Sequence, residues 1–170
     1  MNTIYKVKWG WLVVIITITV SLIVVWLNVQ LVFSLLNSEN YISRGIILVI
    51  FNSVIGITVL QTPRFVKTCD KKILLKKIYG KFEINYSEIQ AVAPFNPGLS
   101  LRVFGSGGFL GFLGIFSSEK YGWYKSYIGN AKQSFLIITK NNKKYVFSCE
   151  NSEEVIRTIK QHIENAEKQP

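Results

Sequence analysis

Charge is absent from Trp9 through Ser38, and again from Gly45 through Pro63. A run of about 18 or more apolar residues is long enough to cross a bilayer as a helix. Two stretches meet that length: WGWLVVIITITVSLIVVWL (9–27) and GIILVIFNSVIGITVLQTP (45–63). Trp9, Trp11 and Trp26 flank the first, where indole rings favour the headgroup region. Asn52 is the only strongly polar group near the middle of the second. Pro63 marks its exit, because proline cannot continue the backbone ladder. The first run is apolar all round, unlike the one-sided helix of a soluble fold. It is also too long for a cleaved signal peptide, and no alanine precedes Ala91, so there is no A-x-A cleavage site. The reading is a retained transmembrane hairpin in residues 1–63, with spans at about 9–29 and 45–60. Leu31–Leu36 is apolar too, so the first helix overruns its span or lies along the outer interface.

Lysines and arginines set the orientation. Lys6 and Lys8 precede the first span, and the connection 28–44 carries only Arg44, with Glu39 nearby. Arg64, Lys67, Lys71, Lys72, Lys76, Lys77 and Lys81 follow the second span. Positive flanks stay in the cytoplasm. The chain therefore reads as a multi-pass protein of the inner or plasma membrane with both termini cytoplasmic.

Residues 64–170 hold 17 of the 20 basic and 9 of the 10 acidic residues, a net of +8. This part reads mostly as β. Lys72–Tyr79 has strand character and meets the turn signal Gly80-Lys81. Phe82, Ile84 and Tyr86 alternate with Glu83 and Asn85, the period of a half-buried strand, and Ile89 and Val92 continue it. Asn96-Pro97-Gly98 breaks the chain. Trp123–Ile128, Ser134–Thr139 and Tyr145–Cys149 are further strands, the last two joined through Lys140–Lys143, where asparagine accepts the positive φ of a tight hairpin. A helix at about 152–165 closes the chain. Asn151 and Glu154 have capping-box spacing, and Val155, Ile156, Ile159 and Ile163 form an apolar stripe. The fold class is thus α+β: a helical hairpin, then a small barrel or sandwich plugged by an amphipathic helix.

This arrangement resembles the membrane-anchored bacterial pleckstrin-homology-like proteins. Phe82–Val92 is similar to the family's aromatic-polar-polar-Ile-x-x-Val strand. Leu101–Gly108 resembles a glycine-rich segment of some members, and Tyr145–Asn151 the junction of last strand and helix. The resemblance covers roughly 64–163. It implies a strongly bent barrel of about seven strands with one open end closed by the helix, and it implies no reaction.

Catalytic constellations are absent. His162 is the only histidine and Asp70 the only aspartate, and there is no G-x-S-x-G. Cys69 and Cys149 lack metal-ligand spacing and read as reduced, packed thiols. Gly105-Ser106-Gly107-Gly108 runs into Phe109-Leu110 rather than Gly-Lys-Ser/Thr, so it is no phosphate loop. No enzyme activity, cofactor or metal is expected.

Glycine recurs at 105, 108, 111 and 114. Val103–Ser118 is uncharged but short for a third span. The expectation is a long loop or bent hairpin over 105–114 on the membrane-facing side, with Phe109, Leu110, Phe112, Leu113 and Phe116 finding burial in lipid, on the helices or in the core. Lys72, Lys76 and Lys77 would then meet anionic headgroups, at ~1 kcal/mol per close cation. Candidate contacts are therefore Lys72, Lys76, Lys77, Gly105, Ser106, Gly107, Gly108, Phe109, Leu110, Phe112 and Leu113. Tyr121, Trp123, Tyr124, Lys125 and Tyr127 superficially fit a nucleic-acid pattern, but strand alternation explains them more simply. The partners expected are membrane lipids, with a protein partner or a second copy beside them, and no nucleic acid. The function read here is a non-enzymatic tethered module. The rival is an accessory subunit of a membrane enzyme or transporter acting through its spans, with Asn52, Ser53 and Gly56 available to a partner helix.

Overall fold

The computed structural model describes residues 3–37, 40–96 and 98–167, so Ser38, Glu39 and Pro97 lie outside the described residues, as do both extreme ends. Its first element is one that the sequence pattern does not announce. Thr3–Lys6 is a strand, β1, pairing antiparallel with β2 (Pro63–Thr68). Between these paired strands stand α1 (Trp11–Leu36) and α2 (Tyr41–Leu60). The helical pair thus occupies the connection of a β-hairpin, and Thr3–Lys6 belongs to the sheet rather than to the helices.

Both helices are long and apolar enough to cross a membrane. Their side chains stay largely exposed, as an all-round apolar helix requires when no protein surrounds it. The first runs continuously to Leu36, past the expected limit at 29. Polar contacts set the pair's register. The Asn52 amide donates to Asn28 Oδ1 at 2.8 Å, and Arg44 Nη1 donates to the Ser34 carbonyl at 2.8 Å. Asn28 lies late in α1 but Asn52 lies past the middle of α2, so the first turns of α1 project beyond the end of α2.

After β2 come β3 (Lys72–Lys77) and β4 (Lys81–Asn85), completing a four-stranded sheet in the order β1-β2-β3-β4. A 3-10 turn at Tyr86–Glu88 then diverts the chain. The second sheet contains β5 (Ile89–Pro94), β6 (Ser100–Gly108), β7 (Gly111–Ser118), β8 (Gly122–Ile128), β9 (Ser134–Thr139) and β10 (Lys144–Ser148). Its order is β5-β9-β10-β8-β7-β6, with β8 and β10 parallel and the other neighbours antiparallel. The expected closed barrel of about seven strands is not formed. The described residues make ten strands in two separate sheets, because β4 and β5 do not pair across the 3-10 turn and the glycine-rich segment adds a hairpin to the far edge.

The core lies between the sheets. Val66, Ile73, Leu75 and Ile84 of the first sheet meet Tyr127, Phe135, Ile137 and Phe147 of the second. The helix α3 (Ser152–Glu167) lays Val155, Ile156 and Ile159 on the same core, the stripe its spacing requires. Asn151 enters this helix with φ 54°, and its carbonyl accepts from the Glu154 and Val155 N–H groups. Phe95, Phe116, Tyr124, Ile128, Leu136 and Val146 form a second cluster on the opposite face of the larger sheet. His162 stacks on Tyr86 with centroids 4.5 Å apart and has a packing role.

Candidate functional site

The end of the β module that meets the helices is held at three places. The β3–β4 turn sits against the end of α2: Ile78 N–H donates to the Thr62 carbonyl (2.9 Å) and Tyr79 N–H to that of Leu60 (3.0 Å). At the start of α1, Gly10 N–H donates to the Gly129 carbonyl at 2.9 Å. At the tip of the β6–β7 hairpin, Leu110 N–H donates to Thr17 Oγ1 at 2.9 Å. Ile78 and Tyr79 remain exposed beside α2.

The glycine-rich segment is therefore no free loop. Gly105 and Gly114 pair directly across β6 and β7, both with φ above +110°. A Cβ on Gly105 would lie 2.0 Å from the Leu113 carbonyl oxygen, and one on Gly114 would lie 2.2 Å from that of Phe104. Only glycine allows the two backbones this approach. Gly108 instead makes room for α1, since a Cβ there would meet Ile16 Cδ1 at 2.6 Å. The turn's polar groups find partners within the protein. Ser106 Oγ donates to the Phe109 carbonyl at 2.6 Å while Thr17 takes Leu110 N–H.

The hairpin divides the expected contact residues. Phe109 and Leu110 are half-buried at the tip, beside α1. Leu113 is buried, and Phe112 packs on the second core cluster, as does the buried Phe116. Leu113 and Phe116 thus face the protein and offer nothing to lipid directly. Between the first turn of α1 and this face of the sheet lies an apolar cleft of about 550 Å³, walled by Trp9, Val13, Phe112, Phe116, Tyr124 and Ile128.

The three lysines singled out from the sequence separate as well. Lys72 begins β3, about 17 Å along the strand from Lys77, and pairs with Glu83 at 2.6 Å. Lys81 reaches the other Glu83 oxygen, also at 2.6 Å. Hydrogen bonding from Lys72, then from Lys81, holds the Glu83 carboxyl below its usual range, and the Glu83 contact raises Lys72 in turn. Lys76 stands opposite Lys81, cation against cation. Lys77 alone shares the inward face of Ile73 and Leu75. Its ammonium donates to Gln61 Oε1 at 2.7 Å and lies 5.9 Å from the centre of the Tyr127 ring. Lys125, which the sequence offered only as one of an alternating series, approaches the same ring at 5.8 Å. Burial, and next the charge on Lys125, lower the Lys77 pKa.

No group of three metal-ligating side chains occurs among the described residues. Both cysteines are free, and burial pushes the Cys149 thiol up to about 12. Among the described residues the arrangement offers apolar surfaces and cations. No curated protein and no solved structure matches the chain. A family model, described as the bacterial PH domain, matches residues 66–163, from β2 into α3. That match covers more than half of the chain and coincides with the sheets and helix just described; the protein belongs to the bacterial PH-domain family.

Proposed function

We propose that this protein is a non-enzymatic, membrane-anchored binding module. In this reading α1 and α2 cross the membrane with both termini cytoplasmic, and the module of residues 64–170, completed by β1, rests its helix-proximal end on the headgroups. The observation that carries the reading is the hairpin tip. A turn entering an apolar or interfacial medium must satisfy its own polar groups, and Ser106 and Thr17 do this for Phe109 and Leu110. At the end of α2 stand Ile78 and Tyr79, suited to the interface, with Lys76 and Lys77 free of carboxylate partners among the described residues. The contact surface is then Lys76, Lys77, Gly105–Gly107, Phe109 and Leu110, with Gly108 turned to Ile16 of α1. Lys72, Phe112 and Leu113 are engaged elsewhere.

The test places a fluorophore at Phe109→Cys, with Cys69 replaced by serine, in the full chain reconstituted into bilayers. Quenching by lipids with brominated acyl chains is the expected result. Quenching only by a water-soluble agent overturns the reading. For orientation, Asn37→Cys reacts with an impermeant thiol reagent added to intact cells, and labelling that first requires lysis overturns it.

The accessory-subunit reading keeps one supporting observation. Asn52 is engaged with Asn28 inside the pair, but Ser53 and Gly56 are exposed and nothing lies within 4 Å of a Cβ placed on Gly56. Such an opening suits a closely approaching helix. Loss of a co-purifying membrane protein on Gly56→Leu supports that reading.

A further inference from the structure

The cleft beside α1 owes its shape to a row of small residues. On that face of the larger sheet Phe112 pairs with Ile128 at the end next to the helices. Phe116 pairs with Tyr124 four residues further on, about 13 Å along the strands. Between these bulky rows Gly114 pairs with Ser126. The result is a trough, and the start of α1, with Trp9 and Val13, closes over it. Its volume of about 550 Å³ is that of a small-molecule site. A partner helix about 10–12 Å across, running the same length, would need roughly twice that volume.

The walls suit hydrocarbon. Their polar groups already bond one another: Ser126 Oγ donates to the Phe112 carbonyl at 2.7 Å, and the Tyr124 hydroxyl bonds to Ser100. Gly10 N–H donates to the Gly129 carbonyl at 2.9 Å, and Lys132 N–H to Asn130 Oδ1 at 3.1 Å. A water molecule in the trough finds few of the 2–4 polar partners it needs. Trp11 and Leu12 belong both to the cleft wall and to the outer surface of α1, where they are 70% and 44% exposed. The cleft is thus continuous with the surface that α1 turns to the apolar layer, at the level where indole rings mark the headgroups. The one charge on its lining is the exposed ammonium of Lys132, which disfavours a cationic ligand.

We propose that this cleft takes up the hydrocarbon chain of a long-chain fatty acid, which enters from the bilayer past Trp11 and Leu12 and lies along the Gly114–Ser126 row. One chain fills the space, and the carboxylate stays among the headgroups. The proposal rests on the membrane-anchored reading and adds to it a ligand held by its apolar part, on the face of the larger sheet opposite the main core.

The experiment uses the full chain reconstituted into phosphatidylcholine bilayers, with palmitic acid carrying a photoreactive diazirine at its methyl end. Insertion at Phe112, Phe116 or Tyr124, located by peptide mass spectrometry and suppressed by excess unlabelled palmitic acid, is the expected result. Leu12→Trp narrows the mouth at an exposed position, and Ala131→Phe fills the rim. Each is expected to lower that insertion about tenfold, the effect of losing burial for about two methylenes, with the melting temperature unchanged. Undiminished insertion in the Leu12→Trp protein overturns the site. In a second arm the diazirine sits on one chain of phosphatidylcholine. Insertion at the same residues as strong as from the fatty acid overturns the single-chain ligand and leaves the bilayer's own lipid as occupant. Insertion from either probe on α1 and α2 but none on the sheet face defeats only the cleft, whereas no insertion on either helix defeats the anchored reading itself.

Discussion

Gly105 and Gly114 show how a residue can be conspicuous in a sequence while its purpose stays hidden. Their spacing, with Gly108 and Gly111 between, is plain in the one-letter string, and glycine's backbone freedom argues there for a long loop or a bent hairpin. The structure uses their missing side chains instead. Each Cα lies so close to the opposing backbone that a methyl group would fall about 2 Å from a carbonyl oxygen, 2.0 Å for Gly105 and 2.2 Å for Gly114. Gly105→Ala is therefore expected to lower stability by about 2–4 kcal/mol, through a backbone clash combined with a φ that L-residues avoid. Thermal unfolding of the detergent-solubilised protein measures it, and an unchanged melting temperature refutes the close approach. Lys77 was legible in the same partial way. Its sequence neighbours mark a basic strand end, but only the pairing of the two sheets shows that it turns inward and finds Lys125. Cys149 is buried, with its thiol pushed up to about 12. Thiol reagents at neutral pH are expected to modify Cys69 well before Cys149, and to reach Cys149 only on unfolding. Equal rates in the folded protein contradict that burial.

At the scale of elements, the readable ones carried a period. The apolar runs, the alternation of Phe82 and Ile84, and the α3 stripe became the elements their spacing requires, because each buries a face determined by local geometry, whereas Tyr86 leaves the strand for the 3-10 turn that separates β4 from β5. What local pattern could not supply was pairing at long sequence separation. Neither the β5–β9 ladder nor the parallel β8–β10 contact leaves a signal in either strand alone, and β1 is only four residues long. The contact between the β6–β7 hairpin and α1 is of that kind, with Gly108 against Ile16 and one hydroxyl, that of Thr17, taking the Leu110 N–H. Thr17→Val keeps the shape of the side chain and removes the acceptor for Leu110 N–H. The expected loss is about 1–3 kcal/mol, the cost of a buried donor without a partner. Hydrogen exchange at Leu110 is expected to rise with it, while exchange in β9 stays slow. Within the β3–β4 hairpin the sign of the pH dependence follows from Glu83. Lys72 first, and then Lys81, depress its pKa below the ordinary carboxylate value. The stabilisation is then present above the unfolded-state pKa and is lost as pH falls through the lower folded one. Glu83→Gln is expected to flatten that acidic part of the stability curve, and an identical curve for the variant removes Glu83 as its source.

For the molecule as a whole, the decisive fact is where the helices are inserted. The chain enters through β1, leaves as α1, returns as α2 and resumes the same sheet as β2. Val7 N–H still donates to the Arg64 carbonyl at 2.9 Å, so the ends of the helical excursion lie side by side. Both connections are short, Val7–Gly10 on one side and Gln61–Thr62 on the other. The module is thereby held in one orientation against the helices rather than swinging on a linker, which keeps the flank bearing Lys77 and Lys125 at the end of α2. A division at residue 63 cuts through this unit. Residues 64–170 alone lack Tyr5, which is buried in the main core, the pairing of Thr3–Lys6 with 65–68, and the Lys6 carbonyl that accepts from Glu150 N–H at 2.9 Å. Losing a buried aromatic side chain costs about 3–5 kcal/mol, a large part of a small domain's stability, and it also bares the edge of β2 to other chains. The isolated fragment 64–170 is therefore expected to aggregate or to melt far below the full protein. Restoring residues 3–8 through a glycine-serine turn of about 2–5 residues, in place of the helices, is expected to give a monomeric, cooperatively folding module. Size-exclusion chromatography and far-ultraviolet circular dichroism of the two proteins decide the matter. Equal melting temperatures would show that β1 is dispensable, and the helical pair would then be an ordinary N-terminal anchor.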